Sequence, residues 1–280
     1  METRQLDVGG LQLAAAEAGA GAPNHLLVLH GFGGAKEDFS EWLDPFAAAG
    51  WHAVAFDQRG HGKSAHPRGE EQYSLQLLTD DVRAVADQLG WDRFVLLGHS
   101  MGGMVAQLFA IESPERLAGL ILMGTSHKRP DGIDAELVSL GREVVRAGGT
   151  EALLKAQKDF GPGPLDTQAH RRLIAARPDY EEFCDSKTLA ASDDMWVALS
   201  AEILSQPDRL QALEKLSVPA LVIVGAFDET FLQQCGELAG AIPDADFAVI
   251  SLAGHCPQFE RPEDWWAVVS EFLRGLQQDL

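Results

Sequence analysis

Phe94-Val95-Leu96-Leu97-Gly98-His99-Ser100-Met101-Gly102-Gly103 is the stretch that decides how this chain folds. Four apolar residues run straight into Gly-x-Ser-x-Gly, and the helical pattern Met104-Val105-Ala106-Gln107-Leu108-Phe109-Ala110 follows. A strand, a sharp turn and a helix in that order lift a serine hydroxyl clear of a sheet and present it as a nucleophile. Glycines on either side give the turn the room it needs. The turn also leaves Ser100 at a helix N-terminus, where unpaired backbone N–H groups stabilise negative charge. With 28 glycines in 280 residues the five-residue pattern alone is weak. Its flanks give it meaning.

Outward from this turn, strand-like and helical runs alternate. Leu26–Leu29, Ala53–Phe56, Gly119–Met123, Ala220–Val224 and Phe247–Leu252 join Phe94–Leu97 as predicted strands. Their nearly continuous apolar character suits a parallel sheet buried on both faces. Ser74 to Leu89 repeats apolar residues at helical spacing and stops at Gly90. Alternation of this kind predicts βαβ units and an α/β fold. Gln5 to Glu17 reads as a hairpin turning at Gly9-Gly10, an antiparallel edge.

The rhythm breaks between about Ser126 and Gln206, where helical patterns such as Ala135–Arg146 and Asp193–Leu204 recur without a convincing strand. The expected organisation is an α/β core of residues 1–125 and 207–280, with residues 126–206 inserted after the fifth or sixth strand as a helical cap. Such a cap would cover the carboxyl ends of the strands, where open α/β sheets bind ligands.

A serine hydroxyl needs a base to take its proton and a carboxylate to orient that base. His255 follows the last strand through Ala253-Gly254, and Asp228 follows Leu221–Val224 through Gly225-Ala226-Phe227, giving the chain order Ser100, Asp228, His255. Asp44, Asp57, Glu229 and Asp244 suit the orienting role less well. Among the other histidines, His25 and His52 begin strands, and His61 belongs to a structural turn. His66, His127 and His170 fall in polar stretches and read as exposed. Attack by Ser100 creates an oxyanion that preorganised donors must hold. The N–H of Met101 is one expected donor. The N–H of Phe32, in the loop His30-Gly31-Phe32-Gly33-Gly34, is the other. Phe32, Met101, Phe160 and Trp196 are the expected apolar walls of a substrate pocket.

The formal net charge of −20 argues against nucleic acid or an anionic membrane surface as a partner, since both are polyanions. No apolar leader or bilayer-length segment is visible, so the expected location is cytoplasmic, without membrane insertion. Cys184, Cys235 and Cys256 form no Cys-x-x-Cys pair, and neither a zinc site nor a disulfide framework is expected. Cys256, beside His255, reads as a buried spectator. The oligomeric state stays open.

With these residues assembled, the chain resembles the α/β-hydrolase superfamily, in its branch of small serine esterase- and lipase-like enzymes with a helical cap. The resemblance covers nearly the whole chain. It rests on His30 to Gly34, Asp57-Gln58-Arg59-Gly60-His61-Gly62-Lys63-Ser64, Gly98 to Gly103, Gly225 to Asp228, and Gly254-His255. It implies an eight-stranded, mostly parallel sheet flanked by helices, a pocket beneath the cap, and no cofactor or metal. It also implies that Asp57 and Arg59 support a turn and do no chemistry.

The expected activity is hydrolysis of a carboxylic ester of a small, largely apolar substrate through an acyl-enzyme. A lactonase, a carbon–carbon bond hydrolase, a cofactor-free haloperoxidase or perhydrolase, and a triad-dependent lyase are the alternatives among enzymes. A ligand receptor built on the same fold is the alternative of another class. Ser100 stands where dehalogenases and epoxide hydrolases place Asp, which disfavours their chemistry. Carbon–carbon bond hydrolases usually have a different glycine loop and an Asn where this chain has His99.

Overall fold

The computed structural model describes residues 1–160, 163 and 166–279, with the side chains of residues 160, 278 and 279 outside the described set. Eight strands form one sheet: β1 (Glu2–Val8), β2 (Leu11–Ala18), β3 (Asn24–Leu29), β4 (Trp51–Phe56), β5 (Phe94–His99), β6 (Leu117–Met123), β7 (Ala220–Gly225) and β8 (Asp246–Ile250). Their spatial order is β1-β2-β4-β3-β5-β6-β7-β8. β1 pairs antiparallel with β2 and β2 with β4, and every other pairing is parallel. The hairpin turns at Gly9 and Gly10, both at positive φ.

Period-two alternation divides each central strand between two apolar cores. Phe94 and Leu96 of β5 join one, while Val95 and Leu97 join the other. Each fully buried side chain of this kind contributes roughly 1.5–3 kcal/mol. The helix Leu75–Leu89 closes one core. Ser74 Oγ accepts the Leu77 N–H at its start, and Gly90 ends it at φ 72°.

β8 departs from the expectation of a sheet buried on both faces. Among the described residues it pairs only with β7, its Phe247 and Val249 are exposed, and it stops at Ile250 instead of continuing to Leu252. Leu252 sits at φ 62°, which no strand accommodates.

Between β6 and β7 lie the helices Ala135–Phe160, Gln168–Ala176, Asp179–Leu189 and Asp193–Ser205, and the described residues there contain no strand. The first is broken at Gly149, whose φ is 75°. Thr167 and Ser192 cap the second and fourth, accepting the N–H groups of His170 and Met195. These helices follow the sixth strand. Among the described residues, no helix is long and apolar enough to cross a membrane.

Candidate active site

Ser100 ends the turn after β5 at φ 55° and ψ −118°, a conformation that costs a non-glycine residue of order 1–3 kcal/mol. The surroundings enforce it. Ser100 N–H donates to the Met123 carbonyl of β6 (2.8 Å), and the Ser100 carbonyl accepts the Thr125 hydroxyl (2.7 Å). The flanking glycines are needed for close approach. A Cβ on Gly98 would collide with the Gly102 carbonyl, and one on Gly102 would lie 2.6 Å from the His30 carbonyl.

Asp228 follows β7 and is buried at the start of the helix Glu229–Ala241. Its Oδ2 is 2.8 Å from His255 Nδ1, in the loop after β8. The Phe231 ring stacks on the imidazole at 4.9 Å, and the Glu260 carboxylate accepts the Gly254 N–H, so the histidine is held from two further directions. An Nδ1–H donated to Asp228 leaves Nε2 as the basic nitrogen. His99 reaches the same loop from the other side, with Nε2 2.8 Å from the His255 carbonyl. Burial, followed by the neighbouring His255, holds the His99 pKa well below the ordinary value.

Ser100 and His255 line one cavity of about 520 Å³, together with Phe32, Met101 and Trp196. Neither the Phe32 nor the Met101 N–H has a hydrogen-bond partner among the described residues. The Phe32 and Trp196 rings lie 5.6 Å apart, so two of the expected pocket residues meet. The Phe160 side chain lies outside the described residues. The apolar walls that sequence reasoning missed are Met104, Ile133, Val138, Ile203, Leu204 and Phe231. Nothing local in the sequence separates such positions from ordinary core.

Asp57 accepts the Lys36 N–H (2.7 Å), the Lys63 N–H (2.9 Å) and the Lys36 ammonium (2.9 Å). Arg59 forks onto Asp81 and donates to the Gln72 carbonyl. Both residues brace the turn and do not line the cavity.

Two histidines differ from expectation. His127 is buried, not exposed, with its ring nitrogens 2.7 Å from Asp208 and 2.8 Å from Glu237. His170 is half-buried, lines the cavity, and is pushed down in pKa chiefly by burial. Cys256 also lines the cavity, and burial pushes its thiol pKa up, which suppresses the thiolate. No cluster of three or more His, Cys, Asp or Glu side chains among the described residues is placed to hold a metal ion.

The family model described as alpha/beta hydrolase fold matches residues 24–262. The chain belongs to that family. This hydrolase is 30% identical over 279 residues to the 2-hydroxy-6-oxononadienedioate/2-hydroxy-6-oxononatrienedioate hydrolase of Paraburkholderia phymatum, covering 95% of this chain and 92% of the relative. A thermophilic esterase from Thermogutta terrifontis superposes with a TM-score of 0.78 at 28% identity, covering 99% of each chain. An N-acyl homoserine lactone degrading enzyme superposes with a TM-score of 0.77 at 26% identity, covering 97% of this chain and 99% of the other. Relatives of this α/β hydrolase thus include enzymes named as an esterase, as a lactone degrading enzyme and as a hydrolase of an oxononadienedioate.

Proposed function

We propose that this α/β hydrolase cleaves carboxylic esters of small, largely apolar substrates through an acyl-enzyme on Ser100. The observation that carries the reading is the strained Ser100 in one cavity with His255, whose other ring nitrogen bonds to buried Asp228. His255 Nε2 takes the hydroxyl proton as Ser100 attacks the ester carbonyl, and Asp228 steadies the imidazolium. The N–H groups of Phe32 and Met101 receive the oxyanion, whose stabilisation is usually the largest catalytic contribution. His255 then protonates the departing alcohol, and the same nitrogen activates the water that releases the acid.

The cavity's charge supports an uncharged substrate. Among the described residues its lining carries three carboxylates, Asp38, Asp166 and Glu260, and one lysine already paired with Asp38. A dicarboxylate of the kind named for the Paraburkholderia relative would add like charge to a lining with more carboxylates than cations. A lactone is the second reading, favoured by the likeness to the homoserine lactone degrading enzyme, because the attack on a cyclic ester is the same.

Initial rates on p-nitrophenyl esters of two to sixteen acyl carbons test the proposal, comparing wild type with Ser100→Ala. Turnover lost in the variant supports it, and the optimum chain length sizes the pocket. Absence of turnover on every ester, with opening of lactones in a pH-stat, would move the assignment to the second reading.

A further inference from the structure

Lys187 sits near the C-terminal end of the helix Asp179–Leu189 and lines the cavity, with only 13% of its side chain exposed. Its ammonium is 2.5 Å from Asp38 Oδ1 and 4.3 Å from the centre of the Phe183 ring. Asp38 belongs to the short helical turn Lys36–Phe39 that follows β3. Its second oxygen accepts the Ala35 N–H at 3.1 Å and packs beneath Gly34, where a Cβ would lie 2.5 Å from it. The pair therefore ties the inserted helices to the loop that carries the Phe32 N–H. Burial lowers the lysine pKa and the Asp38 carboxylate raises it, with the net result above the ordinary lysine value. The side chain is charged at neutral pH.

An ammonium has three N–H donors. Asp38 accepts one and the Phe183 face occupies another direction, which leaves one for a molecule in the cavity. The partner best suited to it is neutral. Asp38 already cancels the charge, and a ligand carboxylate would add a fourth anion beside Asp38, Asp166 and Glu260. A carbonyl or hydroxyl oxygen, by contrast, takes a charge-assisted hydrogen bond without that repulsion.

Resting on the ester-hydrolase reading, we propose that Lys187 determines specificity by donating a hydrogen bond to a neutral oxygen that the substrate carries apart from its ester group, so that preferred substrates are oxo- or hydroxy-substituted esters. The remaining cavity wall, with Ile133, Val138, Ile203 and Leu204, receives the hydrocarbon part.

The test compares kcat/KM for matched esters: p-nitrophenyl hexanoate with its 5-oxo analogue on the acyl side, and butyl acetate with 3-oxobutyl acetate on the alcohol side. Wild type is expected to prefer the oxo member of at least one pair by about tenfold, the worth of a hydrogen bond to a charged donor. Lys187→Met should bring that ratio near one. A tie that only braced the fold would lower the melting temperature and slow both members alike, leaving the ratio intact. Asp38→Asn supplies a second variant. It frees the charge of Lys187 and should raise kcat/KM for the p-nitrophenyl monoester of glutarate relative to hexanoate. Ratios near one in both wild-type pairs, or an oxo preference that survives Lys187→Met, would overturn the Lys187 assignment while leaving ester hydrolysis standing. No turnover of any ester would overturn both.

Discussion

His99 Nε2 lies 2.8 Å from the main-chain carbonyl oxygen of His255, linking the residue before the candidate nucleophile to the backbone of the candidate base across 156 positions of sequence. Because burial keeps the His99 ring neutral, that nitrogen carries a proton and donates it. The imidazole rings lie 4.7 Å apart, so His99 contacts the loop that carries His255 through its ring face as well as its nitrogen. His99→Ala is expected to lower kcat on esters by about ten- to a hundredfold, the usual cost of a misplacement near 1 Å, and to change KM far less. Steady-state kinetics decide it, and an unchanged kcat would remove the positioning role.

Removing the groups assigned to chemistry has a different signature. Ser100→Ala, His255→Ala and Asp228→Asn should each reduce kcat by about 10³- to 10⁴-fold or more. Pairs of these changes should cost little more than one alone, because the three residues act as a unit. A melting temperature close to wild type for Ser100→Ala separates lost chemistry from lost structure. Multiplicative losses in the double variants would contradict a shared mechanism.

Trp196 packs on Gly141 of the neighbouring helix and against the Phe32 ring in the cavity wall. Trp196→Ala should widen the cavity and move the acyl-chain optimum at least two carbons longer. It should cost less stability than the roughly 3–5 kcal/mol of a fully buried aromatic, because Trp196 is only half-buried. A chain-length profile superimposable on wild type would place Trp196 in packing alone.

Arg59 and Asp81 form a forked pair, with side chains 12% and 4% exposed. Arg59→Gln should destabilise the fold by about 3–5 kcal/mol, because it leaves a buried carboxylate without its partner. The folded enzyme should keep its kcat. Denaturant midpoints and rates measured on the same preparation distinguish a bracing residue from a catalytic one.

Acid should weaken this fold before its surface carboxylates titrate. His30, His61 and His99 are buried, and burial is the leading cause that lowers each pKa below the ordinary 6.5. The unfolded chain binds protons at these positions that the folded chain refuses. Stability from this source is therefore complete above pH 6.5 and lost as pH falls below it, each residue contributing up to about 1.4 kcal/mol per pH unit. Urea midpoints between pH 7.5 and 5 should fall with acidification. His99→Gln should flatten the slope, and an unaltered slope would assign the acid sensitivity elsewhere.

The sheet and the chain order of Ser100, Asp228 and His255 were legible because their signals are local: an apolar run, a glycine turn, a polar residue just past a strand. Phe247–Leu252 shows the limit, since composition cannot tell an edge strand from a central one. His127 departs from expectation for a related reason. Its neighbours Ser126 and Lys128 are polar, but the groups that bury it, Asp208 and Glu237, lie 81 and 110 positions away. Nothing in the local sequence marks Lys187. Its significance depends on Asp38, 149 residues distant, and on a cavity wall assembled from several helices. Charge pairing across such separations leaves no periodic trace in the chain.

The bond between His99 and the His255 carbonyl also orders events in time. A ribosome working at roughly 5–20 residues per second makes Ser100 about eight to thirty seconds before it reaches His255. Throughout that interval the emerging polypeptide holds its serine with no proton acceptor and its His99 ring with no carbonyl to grip. On the proposed mechanism, reactivity waits for docking of the segment around residues 254–260, and an unfinished chain is expected to leave esters alone while it is still being made.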